Sequence, residues 1–102
     1  MASEQLRENL KLLRRAAGEH RKVVTRYVSL WDETTERTLC PMLLYFWGSK
    51  WTLGAWCELR RDFRSFRVDL LSDLTMSEDL FELVSGRDAA AYMAQQAGRF
   101  DS

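Results

Sequence analysis

A tight turn between two apolar segments constrains the fold of this chain more than any other feature. Gly48 and Ser49 separate the apolar run 42–47 from the segment 51–58. A glycine at the first central position of a two-residue loop supplies the positive φ that a β-hairpin needs. Segment 51–58 then alternates with period two, which predicts an antiparallel strand with one buried face. The residues expected on that face are Trp51, Leu53, Ala55 and Cys57.

Further strands are predicted on both sides of this hairpin. Residues 23–28 and 35–39 are rich in β-branched residues, and Pro41 implies an edge or a bend because proline has no N–H to donate. Residues 63–70 alternate again, which places Arg64 on the same side as Phe66. Residues 74–83 fit either a last strand or an irregular segment.

Helices are predicted at both ends. Residues 3–18 carry apolar residues at helical spacing, with Ser3 able to cap the start and Gly18 able to end it. Residues 86–97 include an alanine-rich, helix-forming run. The predicted class is therefore α+β, mainly β, with a small antiparallel barrel over residues 22–84 between the two helices.

Length and composition fit a single domain over residues 1–102. The chain is 46% hydrophobic, which is enough for one core. No apolar run approaches the roughly 18 residues of a membrane span, and no secretion signal begins the chain, so we expect a cytoplasmic protein without membrane contact. Cys40 and Cys57 form no Cys-x-x-Cys pair and are expected to be buried free thiols.

The sequence does not favour catalysis or a metal site. A triad would have to use His20, which has no motif around it. The acidic residues between positions 69 and 82 lack the spacing of a calcium loop, and the five glycines form no phosphate loop. We therefore expect no enzymatic activity, no metal and no cofactor.

Charge is distributed unevenly although the net charge is zero. Residues 1–67 hold 13 basic against 8 acidic side chains, and residues 68–102 hold 2 against 7. Such asymmetry is typical of a polyanion-binding face, or of two halves that attract each other within one fold or across a dimer.

Segment 60–67 carries the strongest chemical signal, because four arginines alternate there with two phenylalanines in the sequence RRDFRSFR. Guanidinium groups bind phosphate oxygens bidentately, and aromatic faces stack nucleic-acid bases. The alternative is that both phenylalanines belong to the core and that Asp62 and Asp69 pair with neighbouring arginines.

The tryptophans offer a second candidate surface. They are Trp31, Trp47, Trp51 and Trp56, all on predicted strands or turns. An exposed patch of such residues would mark a partner surface, most simply a homodimer interface, whereas the alternative is that the flanking helices cover it.

Residues 51–60 and 63–69, with the sequences WTLGAWCELR and FRSFRVD, resemble the central block of the WYL-domain family. Residues 21–27, 36–38 and 41–44 extend the resemblance, which covers positions from about 12 to 84. Two positions depart from the family pattern. Thr52 stands where the Trp-Tyr-Leu triplet has tyrosine, and Leu70 stands where the family usually has an arginine.

The resemblance implies an Sm-like or SH3-like antiparallel barrel of about five strands. It also implies a basic pocket that recognises a nucleotide or single-stranded nucleic acid and regulates transcription. The pocket residues that it implies here are Tyr27, Arg37, Arg64 and Arg67. Arg64 and Arg67 would hold phosphate oxygens and Arg37 would add positive charge. Tyr27 would supply a stacking face or a hydroxyl.

Two functional hypotheses follow. In the first, the chain is a non-catalytic sensor. Because residues 1–20 supply one helix and not a helix-turn-helix, it either works with a separate DNA-binding regulator or is an excerpt of a longer protein. In the second, it is an interaction or dimerisation module whose ligand pocket has decayed and whose exposed tryptophans bind a partner. A steep weakening of binding with salt would favour the first hypothesis.

Overall fold

The computed structural model describes residues 4–28, 34–82 and 88–100. In these residues a helix α1 (Glu4–Glu19) precedes five strands, and a helix α2 (Ala89–Phe100) follows them. The strands are β1 (Arg21–Val28), β2 (Thr34–Trp47), β3 (Lys50–Cys57), β4 (Asp62–Arg67) and β5 (Leu71–Leu80), with a 3-10 turn at Val68–Leu70. The predicted α+β, mainly β class with a helix at each end is confirmed. Ser3 and Trp31 lie outside the described residues.

The strands form a single antiparallel sheet in the order β4-β3-β2-β1-β5 within the described part of the chain. The first four strands follow one another as hairpins, and β5 returns across the sheet to pair with β1. Strands β4 and β5 are not paired with each other there, so the sheet is not closed. The segment around 74–83 thus contains a strand, which sequence patterns left undecided.

Strand β2 is continuous through Pro41, where the sequence predicted an edge or a bend. Pairing between β1 and β2 reaches Val23 opposite Leu39 and does not extend to Pro41. Pro41 therefore pairs with β3 but not with β1, and its missing N–H removes no hydrogen bond to β1. A register shift between Pro41 and Leu43 marks a bulge at this point.

The hairpin turn forms as the sequence predicted. Gly48 adopts a φ of +65°, and Trp47 lies opposite Lys50. Three residues of the predicted inner face are fully buried in the core: Leu53, Ala55 and Cys57. Trp51 is 36% exposed instead, because it lies near the tip of the hairpin, where it packs against Phe46.

Helix α1 covers one face of the sheet with Leu13 and Ala16, both fully buried. The helix continues through Gly18, and His20 takes the left-handed conformation that follows it, with a φ of 55°. Tertiary contacts support His20 in this conformation. Its carbonyl accepts a hydrogen bond from the N–H of Phe81 at 2.8 Å, and the two rings lie 5.6 Å apart.

Cys40 and Cys57 are both buried, and neither forms a disulfide, as predicted. No three of the described His, Cys, Asp and Glu side chains lie together as a group that could hold a metal ion. Of the helices in the described ranges, none is long and apolar enough to span a bilayer.

Candidate functional site

An aromatic contact between distant strands shows how strongly the sheet is curved. Tyr27 on β1 and Phe66 on β4 meet edge to face, with ring centroids 5.3 Å apart and an interplanar angle of 86°. Two strands separate β1 from β4 in the sheet order, so in a flat sheet their backbones would lie about 14 Å apart. The sheet therefore rolls toward the face that carries both rings. We call this the concave face, and it carries Tyr27, Arg37, Cys57, Arg64 and Phe66.

Arg37 is the one charged residue in the buried set of the described chain, with 8% of its surface exposed. Its Nε donates a hydrogen bond to Thr35 Oγ1 at 3.0 Å, and its Nη1 lies 3.6 Å from Cys57 Sγ in a weak hydrogen bond. No salt bridge joins it to a carboxylate in the part of the chain that the structure describes. A buried guanidinium is costly without a counter-charge, so this side chain is suited to an anionic ligand.

Strand register places Tyr27 and Arg64 on the same face as Arg37. Tyr27 pairs with Thr35, and Thr35 is two residues from Arg37 along β2. The side chains of Tyr27, Thr35 and Arg37 therefore point to the same side of the sheet. Arg64 lies opposite Ala55, whose side chain is in the core on this face. The prediction that Arg64 shares a side with Phe66 is confirmed by this register, and Arg64 is exposed at the edge of the sheet.

Arg67 is exposed at the end of β4 and is engaged by an acidic neighbour. Its Nε and Nη2 donate to the two carboxylate oxygens of Asp69 at 3.2 and 2.7 Å. This bidentate hydrogen bond lowers the pKa of the Asp69 carboxyl and raises the pKa of Arg67. A smaller electrostatic contribution from Tyr27 also raises the pKa of Arg67.

The four residues implied by the resemblance therefore differ in their availability. Tyr27, Arg37 and Arg64 share one face of the sheet, whereas Arg67 stands at its margin and is already paired. Sequence patterns suggested that Asp69 would pair with a neighbouring arginine, and this pairing is present. A depression is present elsewhere in the described surface, beside Lys22, Cys40 and Trp56.

Sequence patterns did not identify two of the groups that shape the site. Thr35 could have been found, because a strand places residues two apart on the same face. Cys57 could not, because its contact with Arg37 joins residues 20 positions apart on β2 and β3. That contact depends on which strands pair and in which register.

Comparison with known proteins agrees with this architecture. Residues 8–76 match the family model of the WYL domain. The chain belongs to the WYL-domain family. Among solved structures, this WYL domain is similar to the proteasome accessory factor B/C (PafBC) of Arthrobacter aurescens, with a TM-score of 0.73 and 29% sequence identity. The similarity covers 80% of this chain but only 13% of that protein, so the chain spans a small part of its length.

Proposed function

We propose that this WYL domain is a non-catalytic sensor module that binds a nucleotide-like or single-stranded nucleic-acid ligand on its concave face and thereby modulates transcription. The observation that carries the proposal is Arg37, a buried guanidinium with no carboxylate partner in the described residues. Tyr27 and Arg64 on the same face add a stacking ring and a second cation. In this proposal the domain works in the cytoplasm with a separate DNA-binding regulator.

The curvature of the sheet supports an Sm-like or SH3-like barrel as the frame for this site. Small barrels commonly bind single strands by combining a basic groove with aromatic platforms. Arg37 would hold one phosphate group at the buried end of the face, and Arg64 would hold another at the exposed edge. Because Arg64 stands on an open edge, it is accessible to a ligand that approaches from solvent, such as a short single strand.

The direct test is a fluorescence-anisotropy titration of a labelled oligodeoxythymidylate at several salt concentrations. We expect Arg64→Ala/Arg67→Ala to weaken binding and to make the slope of log affinity against log salt shallower by about 0.7. In this proposal Arg64 makes one phosphate contact, Arg67 is paired with Asp69, and each phosphate contact with a single strand contributes about 0.7. The matched control is Arg7→Ala/Lys11→Ala, which removes the same charge from the exposed face of α1. Equal losses in both variants would argue against a localised site, and no binding by the wild type would reject this ligand class.

Releasing Arg67 from its acidic neighbour is expected to strengthen binding of the same oligonucleotide severalfold. Asp69→Asn removes the carboxylate that competes with phosphate for the guanidinium. The Arg67–Asp69 pair contributes to stability above the unfolded-state pKa of Asp69, and this contribution is lost as the pH falls through the lowered folded-state pKa. At neutral pH, Asp69→Asn therefore leaves Arg67 without a charged carboxylate partner, as protonation of Asp69 would do in acid.

The control for this prediction is Asp73→Asn. Asp73 is exposed and pairs with Arg26 at 3.7 Å, so the substitution makes the same change in net charge away from Arg67. A gain in affinity that is equal in both variants would reflect only the overall charge of the protein. A gain that is specific to Asp69→Asn would support a phosphate contact at Arg67.

An exposed aromatic patch favours a second candidate function, self-association. Phe46 and Trp47 at the tip of the β2–β3 hairpin are 57% and 60% exposed, and Trp51 packs edge to face on Phe46 at 5.5 Å. Large apolar side chains grouped in this way mark contact surfaces in many proteins. In this alternative the domain is a homodimerisation module whose ligand-binding role has been lost.

Sedimentation velocity over a range of protein concentrations tests this alternative. We expect a dimer that is insensitive to salt and is lost in Phe46→Ser/Trp47→Ser. Leu59→Ser is the control, because Leu59 is equally exposed but lies in the turn after β3. A wild-type protein that sediments as a monomer at all concentrations would reject self-association through this patch.

A further inference from the structure

Helix α2 lies outside the residues that match the WYL family. One of its side chains, Tyr92, nevertheless contacts strands that lie within the matched residues. Tyr92 is 1% exposed, and its hydroxyl lies 2.7 Å from Tyr45 Oη and 2.9 Å from Ser65 Oγ. Its neighbour Met93 is exposed. The family match ends at residue 76, and α2 begins thirteen positions later at Ala89. The anchor of the appended helix is therefore a polar contact with β2 and β4.

Gly54 leaves the space that the Tyr92 ring occupies. A Cβ atom added at Gly54 would lie closer to the Tyr92 ring than real contacts allow. The ring also meets Phe63 edge to face at 5.7 Å. Because Gly54 on β3 lies opposite Ser65 on β4, the slot for the tyrosine spans the two strands at the edge of the sheet.

Strand β4 connects this slot to the concave face. Phe63 and Ser65 contact Tyr92 on one side of the strand, and Arg64 and Phe66 point to the other side. In the described sheet β4 is an edge strand whose backbone pairs with β3 only. Phe66 holds one side of this edge strand in the core, and the contacts of Phe63 and Ser65 with Tyr92 support its other side.

We propose that α2 is the regulated element of this sensor and that its docking is coupled to ligand binding through β4. The proposal rests on the proposed function. The docked Tyr92 holds β4 in place, which keeps Arg64 and Phe66 beside Tyr27 and lowers the ordering cost of binding an anion there. Coupling between two sites is reciprocal, so a ligand on the concave face strengthens the docking of α2 by the same factor.

The test combines hydrogen exchange with binding, using the full chain. Tyr92→Ala empties the slot, Tyr92→Phe removes only the hydroxyl, and Met93→Ala is the matched control on the exposed side of α2. Amide exchange of residues 62–67 is measured without ligand, and that of residues 89–100 is measured with and without the labelled oligodeoxythymidylate. Affinity for the same oligonucleotide is measured by anisotropy.

We expect Tyr92→Ala to speed exchange in β4 at least about fivefold relative to β1 and to weaken oligonucleotide binding by about fivefold or more, with a smaller effect in Tyr92→Phe and none in Met93→Ala. Oligonucleotide should slow exchange in α2 of the wild type. If Tyr92→Ala speeds amide exchange in α2 but leaves exchange in β4 unchanged, the coupling is overturned, whether or not the oligonucleotide binds. Faster β4 exchange in a protein that binds no oligonucleotide would support the link between α2 and β4 and reject the proposed ligand.

Discussion

Replacing Arg37 with methionine is expected to lower affinity for a single-stranded oligonucleotide by about tenfold to a hundredfold. A hydrogen bond to a charged group contributes about 1.5–3 kcal/mol, and Arg37 offers this bond from a buried position where water competes least. The fold should survive, because replacing a buried charge with an apolar side chain of similar length is often neutral or stabilising. Anisotropy titration reports the affinity, and thermal unfolding followed by circular dichroism reports the stability.

The control for Arg37 is Arg26→Met. Arg26 lies on β1, its side chain is largely exposed, and it pairs with Asp73 rather than facing Tyr27. Both substitutions remove one positive charge, but only Arg37→Met removes it from the concave face. Equal affinity in the wild type and Arg37→Met would contradict the assignment of Arg37 to the site. A collapse of the thermal transition would indicate that Arg37 is required mainly for folding.

Phe66→Ala is expected to lower the free energy of unfolding by about 3–5 kcal/mol, a large part of the total stability of a small domain. Phe66 is buried in the core cluster and supports the Tyr27 ring from across the rolled sheet. Removing it would leave a cavity where β1 and β4 meet and would free Tyr27 from its position. Urea denaturation, followed by tryptophan fluorescence, measures the change.

Phe46→Ala provides the matched comparison, since it removes the same side chain from the exposed hairpin tip. We expect this substitution to lower the free energy of unfolding by about 1 kcal/mol or less, because most of the Phe46 ring already contacts water and the ring packs against Trp51. Similar decreases in the free energy of unfolding in the two variants would mean that the hairpin tip contributes more to stability than its exposure suggests. A small loss in Phe66→Ala would contradict its role as the support of the concave face.

Local sequence patterns determined the strand order only in part. The hairpin at Gly48, the alternation along β3 and the shared face of Arg64 and Phe66 follow from short-range geometry, because a turn and a period of two leave few alternatives. The two terminal helices follow from helical spacing and composition in the same way. The return of β5 to β1 does not, since it pairs residues about 50 positions apart, such as Val23 with Met76.

The state of each site residue was decided by the tertiary structure. Sequence similarity implied Tyr27, Arg37, Arg64 and Arg67 as a set, but only the rolled sheet buries Arg37 and brings the Tyr27 ring onto β4. The slot for Tyr92 likewise requires a helix near the end of the chain to meet a glycine in the middle of the sheet. Sequence determines periodicity and turns, because these depend on neighbouring residues. Burial, curvature and partner choice depend on how distant segments pack, and therefore only the folded chain determines them.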